Sequence, residues 1–264
     1  MPSILVFTDL DGTLLDHDTY DWTPARAALA QLREAGIPVV LNSSKTAAEQ
    51  MALREKIGNG YPFIAENGAA VYWPREHGEL EVKRFGADRA ELVALAHRLR
   101  QEGHLEFEGF ADWSAEQLAA VADLPVESAA LALERCCSEP ILWRGDDASL
   151  NWFVQRIEDA GYRVVQGGRF LHLMGRFDKA EAMRWVAARY TEQSGTQPMI
   201  VALGDSPNDA DMLDAADIAV VVRSAKSDQV RPSRPQRILR TEKRGPAGWQ
   251  EAMVMLLPTL LGDN

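Results

Sequence analysis

Short apolar runs separated by amphipathic stretches organise this chain. Residues 4–7, Ile-Leu-Val-Phe, are apolar at every position, as in a strand buried on both faces of a parallel sheet. Thr23-Pro24 opens a stretch of helical character to about residue 34: Thr suits an N-cap, Pro the first helical position, and Ala35-Gly36 ends it. Residues 37–41 are the next strand-like run, and 47–57 the next helix. This strand–helix alternation predicts an α/β fold on a parallel sheet, in which ligands bind beyond the carboxyl ends of the strands. Runs at 62–65 and 69–73 flank Glu66-Asn67-Gly68, and Asn-Gly between apolar runs predicts a hairpin. On spacing alone, that turn accounts for Glu66 and Asn67.

From about residue 86 the texture changes. Helical patterns at 88–101, 114 onward and 125–137 are interleaved with strand-like runs at 104–110 and 140–143. A helix at 148–160 and strands at 162–165 and 170–174 follow. Ser114 with Gln117 resembles a capping box. We read 86–174 as an inserted α+β unit with an open-faced sheet, dividing a core made of 1–85 and 175–264. The alternation resumes with a helix at 179–192, a strand at 199–203, a helix at 210–215 and a strand at 218–222. A polar segment from 223 to 240 is expected to hold a short strand at 237–239. A helix over 248–261, interrupted at Pro258, ends the pattern.

Composition narrows the function. A formal net charge of -11 argues against a nucleic-acid or anionic-membrane surface, which needs clustered Lys and Arg. No stretch has the length of a membrane span, and the chain enters a strand without a charged leader, so a cytoplasmic location is expected. The cysteines, Cys136 and Cys137, are adjacent, which supplies neither a disulfide framework nor zinc-type spacing.

The chemistry collects at predicted strand ends and helix starts. Asp9 and Asp11 follow the first strand. On a continuing strand they point the same way, and their repulsion calls for a cation or a proton. Asp-x-Asp-Gly also begins calcium loops, but Thr13-Leu14-Leu15 follow instead of further oxygen ligands. Ser43, Lys179 and Asp205/Asp209 occupy equivalent positions. Taken singly, such a serine is a helix cap, as Ser44 or Thr46 would be, and such a lysine a solvated side chain. Together they supply what phosphoryl transfer needs. Asp9 would be the nucleophile, Asp11 the general acid/base, and Lys179 with Mg²⁺ would offset phosphate charge while Ser43 donates a hydrogen bond.

Asp9-Leu10-Asp11-Gly12-Thr13, Ser43, Lys179 and Gly204-Asp205-Ser206-Pro207-Asn208-Asp209 resemble the four motifs of the haloacid dehalogenase (HAD) superfamily of phosphatases. The resemblance implies a Rossmann-like core with a C2-type cap in 86–174. It also implies Mg²⁺ held by the Asp9 carboxylate, the Asp11 backbone carbonyl and Asp205, with Asp209 and Asn208 completing the shell. Asn42-Ser43-Ser44-Lys45-Thr46, Glu66-Asn67-Gly68, Ser138-Glu139-Pro140 and Gly245-Pro246-Ala247-Gly248-Trp249 further resemble mannosyl-3-phosphoglycerate phosphatases. Arg135-Cys136-Cys137 departs from that pattern, which expects a bulkier or aromatic residue before Ser-Glu-Pro.

The expectation is a Mg²⁺-dependent phosphatase for a small phosphorylated sugar acid, converting mannosyl-3-phosphoglycerate to mannosylglycerate and phosphate through an aspartyl phosphate. No nucleic-acid or membrane partner is expected. Lys45, Arg135 and Arg176 are candidates for the substrate carboxylate. Ser44 is a further substrate candidate, and Ser138, Glu139 and His172 are candidates for hydroxyls. The alternatives are a broad hexose- or sucrose-phosphate phosphatase, a phosphosugar mutase on the same core, and a non-catalytic phosphate-binding module, against which intact Asp9 and Asp11 argue.

Overall fold

The structure, a computed structural model, describes residues 4–167 and 169–261; Ser3 lies outside the described residues. Strand β1 (Ile4–Thr8) is wholly buried. Its residues alternate between two cores, Ile4 and Val6 facing one and Leu5 and Phe7 the other. This is why its apolar run shows no polar alternation. Helix α1 (Arg26–Glu34) follows a single 3₁₀ turn over Thr23–Ala25. Thr23 is not the cap here; its own N–H is received by the Asp21 carboxylate at 2.9 Å. Strand β2 (Val39–Asn42) leads to α2 (Ala47–Ile57), which Thr46 and Glu49 start with a reciprocal capping box. Strands β3 (Phe63–Ala65) and β4 (Ala70–Pro74) form the expected hairpin, and β5 (Leu80–Arg84) adds a further antiparallel strand whose Leu-Glu-Val-Lys-Arg is partly to fully exposed and contains no apolar run.

Helix α3 (Arg89–Glu102) enters a second sheet. It consists of β6 (Phe107–Gly109), β7 (Ser138–Trp143), β8 (Arg163–Gln166) and β9 (Leu171–Met174), in the order β6-β7-β9-β8. Between β6 and β7 lie α4 (Ala115–Ala122) and α5 (Val126–Leu133), and α6 (Asp147–Asp159) precedes β8. Helices α3 and α6 cover the face bearing Ile141 and Leu173. The other face is not fully open, because Leu142 packs with Phe110, which follows β6, and with Leu118 and Ala129 of the α4–α5 pair. Helix α5 stops at Leu133 rather than running on to Cys137, and residues 136–137 are a bend.

The chain then returns to the first sheet through α7 (Lys179–Ser194), β10 (Met199–Gly204), α8 (Ala210–Asp214), β11 (Ile218–Arg223), β12 (Arg237–Arg244) and α9 (Gly245–Leu261). The full order is β12-β11-β10-β1-β2-β3-β4-β5, parallel from β12 to β3. Helices α1 and α9 cover one face and α7 and α8 the other. Pro258 lies inside α9 without ending it. The carbonyl its ring deprives of a partner belongs to Val254, which is exposed and can be hydrated. Trp249 of α9 is buried under the sheet and donates its indole N–H to Thr8 Oγ1 at 3.1 Å, steadying the end of β1.

Candidate active site

The register assembles the site. Thr8 lies level with Leu203 on one side and Leu41 on the other, so Asp9 emerges beside Gly204-Asp205 and Asn42-Ser43. The Asp9 N–H still donates to the Leu203 carbonyl at 2.9 Å. Asn42 Nδ2 donates to the carbonyl of Lys179 at 3.0 Å, holding the first turn of α7 against β2. Gly68, at φ +99°, lets the hairpin turn meet the same turn of α7; any Cβ there would collide with the Asp178 carbonyl.

Lys179 is almost fully buried, and its ammonium bridges Asp9 Oδ1 at 2.6 Å and Asp209 Oδ1 at 2.7 Å. The other oxygen of Asp209 accepts the backbone N–H groups of Asp205 at 3.0 Å and Ser206 at 3.2 Å. Asp205 receives the Thr13 hydroxyl at 3.2 Å. Gly12, at φ +78°, passes so close that an added Cβ would sit 2.8 Å from Asp205 Oδ2. Asp9, Asp205 and Asp209 have oxygens within 4.8 Å of one another, and all three are buried.

That concentration of charge is uncompensated. Three carboxylates against one ammonium leave a net charge of two minus when all are ionised. Burial, then the charge of Asp209, pushes the Asp9 carboxyl well above its usual range, against the pull of Lys179. Burial and Asp209 push Asp205 up to about 6. Lys179 is driven above its ordinary value by Asp209 and Asp9, although burial opposes this. A buried set of hard oxygen donors carrying two surplus negative charges fits a small divalent cation such as Mg²⁺.

The two carboxylates after β1 do not face each other as continuation of the strand would require. The chain turns after Thr8, and Asp11 points to Lys45, with Oδ1 3.0 Å from Nζ and its side chain a third exposed. Lys45 also lies 3.6 Å from Glu49. Ser43 is buried and its Oγ accepts the Lys45 N–H at 3.3 Å. Asn208 stands outside the carboxylate trio: its Oδ1 accepts from Ser206 Oγ and its Nδ2 donates to Asn67 Oδ1.

The remaining candidates divide. Arg135 Nη1 donates to the Ser44 carbonyl at 3.1 Å and to Ser138 Oγ at 3.2 Å, so these three residues meet beside the Ser43 loop. Glu139 turns the other way, paired with Arg89 at 2.7 Å and accepting the Ala111 N–H. Arg176 is exposed and donates to the Glu158 carbonyl, remote from the carboxylates in its contacts. His172 carries a buried Nδ1 without a partner among the described residues, and burial followed by the charge of Arg135 depresses its imidazole to about 3. Glu66 is the residue whose role spacing did not reveal. Its buried carboxylate accepts Cys136 N–H at 2.9 Å, Cys137 N–H at 3.1 Å and Ser138 Oγ–H at 2.6 Å. The available signal was an acidic side chain between two apolar runs, in a turn too short to solvate it.

Residues 6–108 match the model of haloacid dehalogenase-like hydrolases, and residues 163–255 that of sucrose-6F-phosphate phosphohydrolases. The chain is thus similar to haloacid dehalogenase-like hydrolases over its first part and to sucrose-6F-phosphate phosphohydrolases over its last. Solved structures share its fold over nearly the whole length. A haloacid dehalogenase-like hydrolase from Bacteroides thetaiotaomicron is 19% identical with a TM-score of 0.66, the match covering 96% of this chain and 99% of that one. The HAD subclass IIB sugar phosphatase BT4131 is 16% identical with a TM-score of 0.68, over 98% and 99%. The sucrose-phosphatase of Synechocystis, solved with sucrose and phosphate, is 17% identical with a TM-score of 0.60, over 97% and 98%. At these identities the likeness is one of fold.

Proposed function

We propose that this protein is a Mg²⁺-dependent phosphatase of the haloacid dehalogenase superfamily, acting on a phosphorylated sugar acid, with mannosyl-3-phosphoglycerate as its leading substrate. The observation that carries the reading is the Asp9 carboxylate, held by a buried lysine beside two further buried carboxylates at the carboxyl edge of a parallel sheet. Asp9, Asp205 and Asp209 would hold Mg²⁺ together with the Asp11 carbonyl, and Asn208 would support the shell. When bound, the cation offsets the negative charge of the phosphoryl group.

The chain's own residues carry the steps. Asp9 attacks phosphorus, and the bond to the leaving alkoxide breaks as an aspartyl phosphate forms. Lys179 holds the attacking carboxylate in place, and the Ser43 hydroxyl donates to a phosphate oxygen. Lys45 is the counter-ion of Asp11 before substrate enters. An anionic substrate competes for Lys45 and frees Asp11 to take up a proton from solvent, which it passes to the leaving alkoxide and regains from the water that frees phosphate. Residues 86–174 act as the cap, with Arg135, Ser44 and Ser138 nearest the Ser43 loop and therefore best placed to read the leaving group. A cytoplasmic location suits such a substrate, and no described helix is long and apolar enough to cross a membrane.

A second reading, a sucrose-phosphate phosphatase, draws on the match of residues 163–255 to that family. Phosphate release with Mg²⁺ from mannosyl-3-phosphoglycerate, sucrose 6-phosphate and hexose phosphates separates the two. Preference for the first supports the sugar-acid assignment, preference for the second replaces it, and equal rates defeat both. Isomerised sugar phosphate without free phosphate would indicate a mutase.

A further inference from the structure

Glu66, Cys136 and Cys137 form a second compact set of ligating side chains, with atoms within 4.8 Å of one another. On an extended strand neighbouring side chains point to opposite faces, so adjacent thiols meet only where the backbone bends. Residues 136–137 are such a bend, immediately before β7. Glu66 holds it, since the successive N–H groups of Cys136 and Cys137 converge on its carboxylate as backbone amides converge on an anion. The thiol sulfurs are thereby brought to 3.2 Å from one another. Cys136 is half-buried and lines a cavity of about 660 Å³ whose wall also includes Phe110, Trp113 and Arg135, and Cys137 is buried.

We propose that Cys136 and Cys137 form a chelating dithiol site for trivalent organoarsenicals. The spacing favours one bridging atom over a disulfide. A disulfide needs the sulfurs at about 2.05 Å, more than an ångström closer, within a ring spanning a single peptide bond. An atom about 2.3 Å from each sulfur, the length of a zinc–thiolate bond, would span them at an angle of roughly 90°. That is narrow for tetrahedral zinc and suited to three-coordinate pyramidal arsenic. The reaction is a condensation without electron transfer. Two As–O bonds of the hydrated arsenical break, two As–S bonds form, and the two thiol protons leave with the oxygens as two waters.

The site lies on the attachment of the inserted segment to the catalytic loops. Thr46 Oγ1 donates to the Leu131 carbonyl at 2.9 Å and Arg135 to the Ser44 carbonyl. Glu66 N–H donates to the Lys45 carbonyl at 3.0 Å and Asn67 N–H to the Ser43 carbonyl at 2.9 Å. Arsenic on Cys136 removes the S–H that lies 3.3 Å from Glu66 Oε1 and adds bulk at this attachment. Occupancy therefore lowers turnover, a consequence that rests on the phosphatase reading, whereas binding does not.

The test treats the full chain with phenylarsine oxide and reads intact mass. One phenylarsenic group per chain is expected, resistant to 2-mercaptoethanol and removed by 2,3-dimercaptopropanol. It should be lost in Cys136→Ser and separately in Cys137→Ser, with circular dichroism verifying that both variants fold. Absence of an adduct, an adduct surviving in either folded variant, or release by the monothiol would overturn the chelate. Hydrolysis of p-nitrophenyl phosphate should fall in the arsenical-treated wild type and be unaffected by the reagent in Cys136→Ser. Unchanged turnover in a fully loaded, active wild-type sample would overturn the coupling to the catalytic loops and leave the chelate standing.

Discussion

Lys179 Nζ lies 2.6 Å from Asp9 Oδ1, where Lys179 is almost sealed from water and Asp9 keeps a small opening to it. The pair is buried together with Asp209, so the ammonium does two things. It orients the Asp9 carboxylate, the proposed nucleophile, and it is the cation that tempers the three carboxylates. Lys179→Met should cut kcat by about 10²–10³, the scale for losing one preorganised electrostatic contact. It should also lower the Tm of the metal-free protein. Steady-state kinetics and calorimetry read both, and a variant with wild-type kcat would remove Lys179 from the mechanism.

Asp9→Asn should act in opposite directions on activity and stability. Turnover is lost because the amide cannot attack phosphorus. One of three mutually repelling buried carboxylates is also gone, so the metal-free variant should gain on the order of 1 kcal/mol, a Tm rise of about 2–4 °C. Residual turnover in a purified sample would defeat the covalent route. A lower Tm would show that the contact with Lys179 outweighs the repulsion.

The pH dependence follows from Asp205. Its carboxyl is raised to about 6 in the folded chain, chiefly by burial and then by Asp209. A raised acid pKa means that the folded state holds its proton more tightly than the unfolded one. The associated stability is full below the ordinary carboxylate value near pH 4 and is lost as pH rises through about 6. Mg²⁺ competes with that proton. Its stabilising effect should be large at about pH 8 and shrink at about pH 5, as thermal melts with and without the ion will reveal. A Mg²⁺ response independent of pH would place the ion elsewhere.

Gly12→Ala tests the close approach of backbone to metal-ligand candidate. Left-handed backbone costs a non-glycine residue roughly 1–2 kcal/mol, and the new methyl presses on Asp205. The variant should lose that stability and bind Mg²⁺ more weakly. Normal Mg²⁺ titration by activity, despite a lowered Tm, would separate the turn from the metal site.

Much of the core, and the meeting of Asp9, Lys179, Asp205 and Asp209, was legible because the signals are local. β1, β2 and β10 are uninterrupted apolar runs, and each site residue follows such a run or opens a helix. The less legible parts depend on contacts between distant segments. β5 is short and largely exposed, with only Leu80 and Val82 apolar, and its pairing with β4 rests on hydrogen bonds that composition does not record. The divergence of Asp9 and Asp11 depends on where the strand stops, and on Lys45 waiting at the end of β2. Glu66 reads as a turn residue until the 136–138 bend is brought to it. Glu139 pairs with Arg89 and Arg176 donates to the Glu158 carbonyl, partners that no local pattern announces.

The place of β1 within the sheet also sets an order of events during synthesis. Ile4–Thr8 takes one neighbour from Val39–Leu41, which emerges soon after it, and the other from Met199–Leu203. At ribosomal rates of about 5–20 residues per second, that second neighbour follows β1 by roughly 10–40 seconds. Through that interval the nascent chain carries the apolar edge of β1 without the partner that will cover it, while Asp9 waits for Lys179, Asp205 and Asp209. The site closes only when the late half of the chain arrives, so a ribosome stalled inside the inserted segment leaves an incomplete site and an open strand edge.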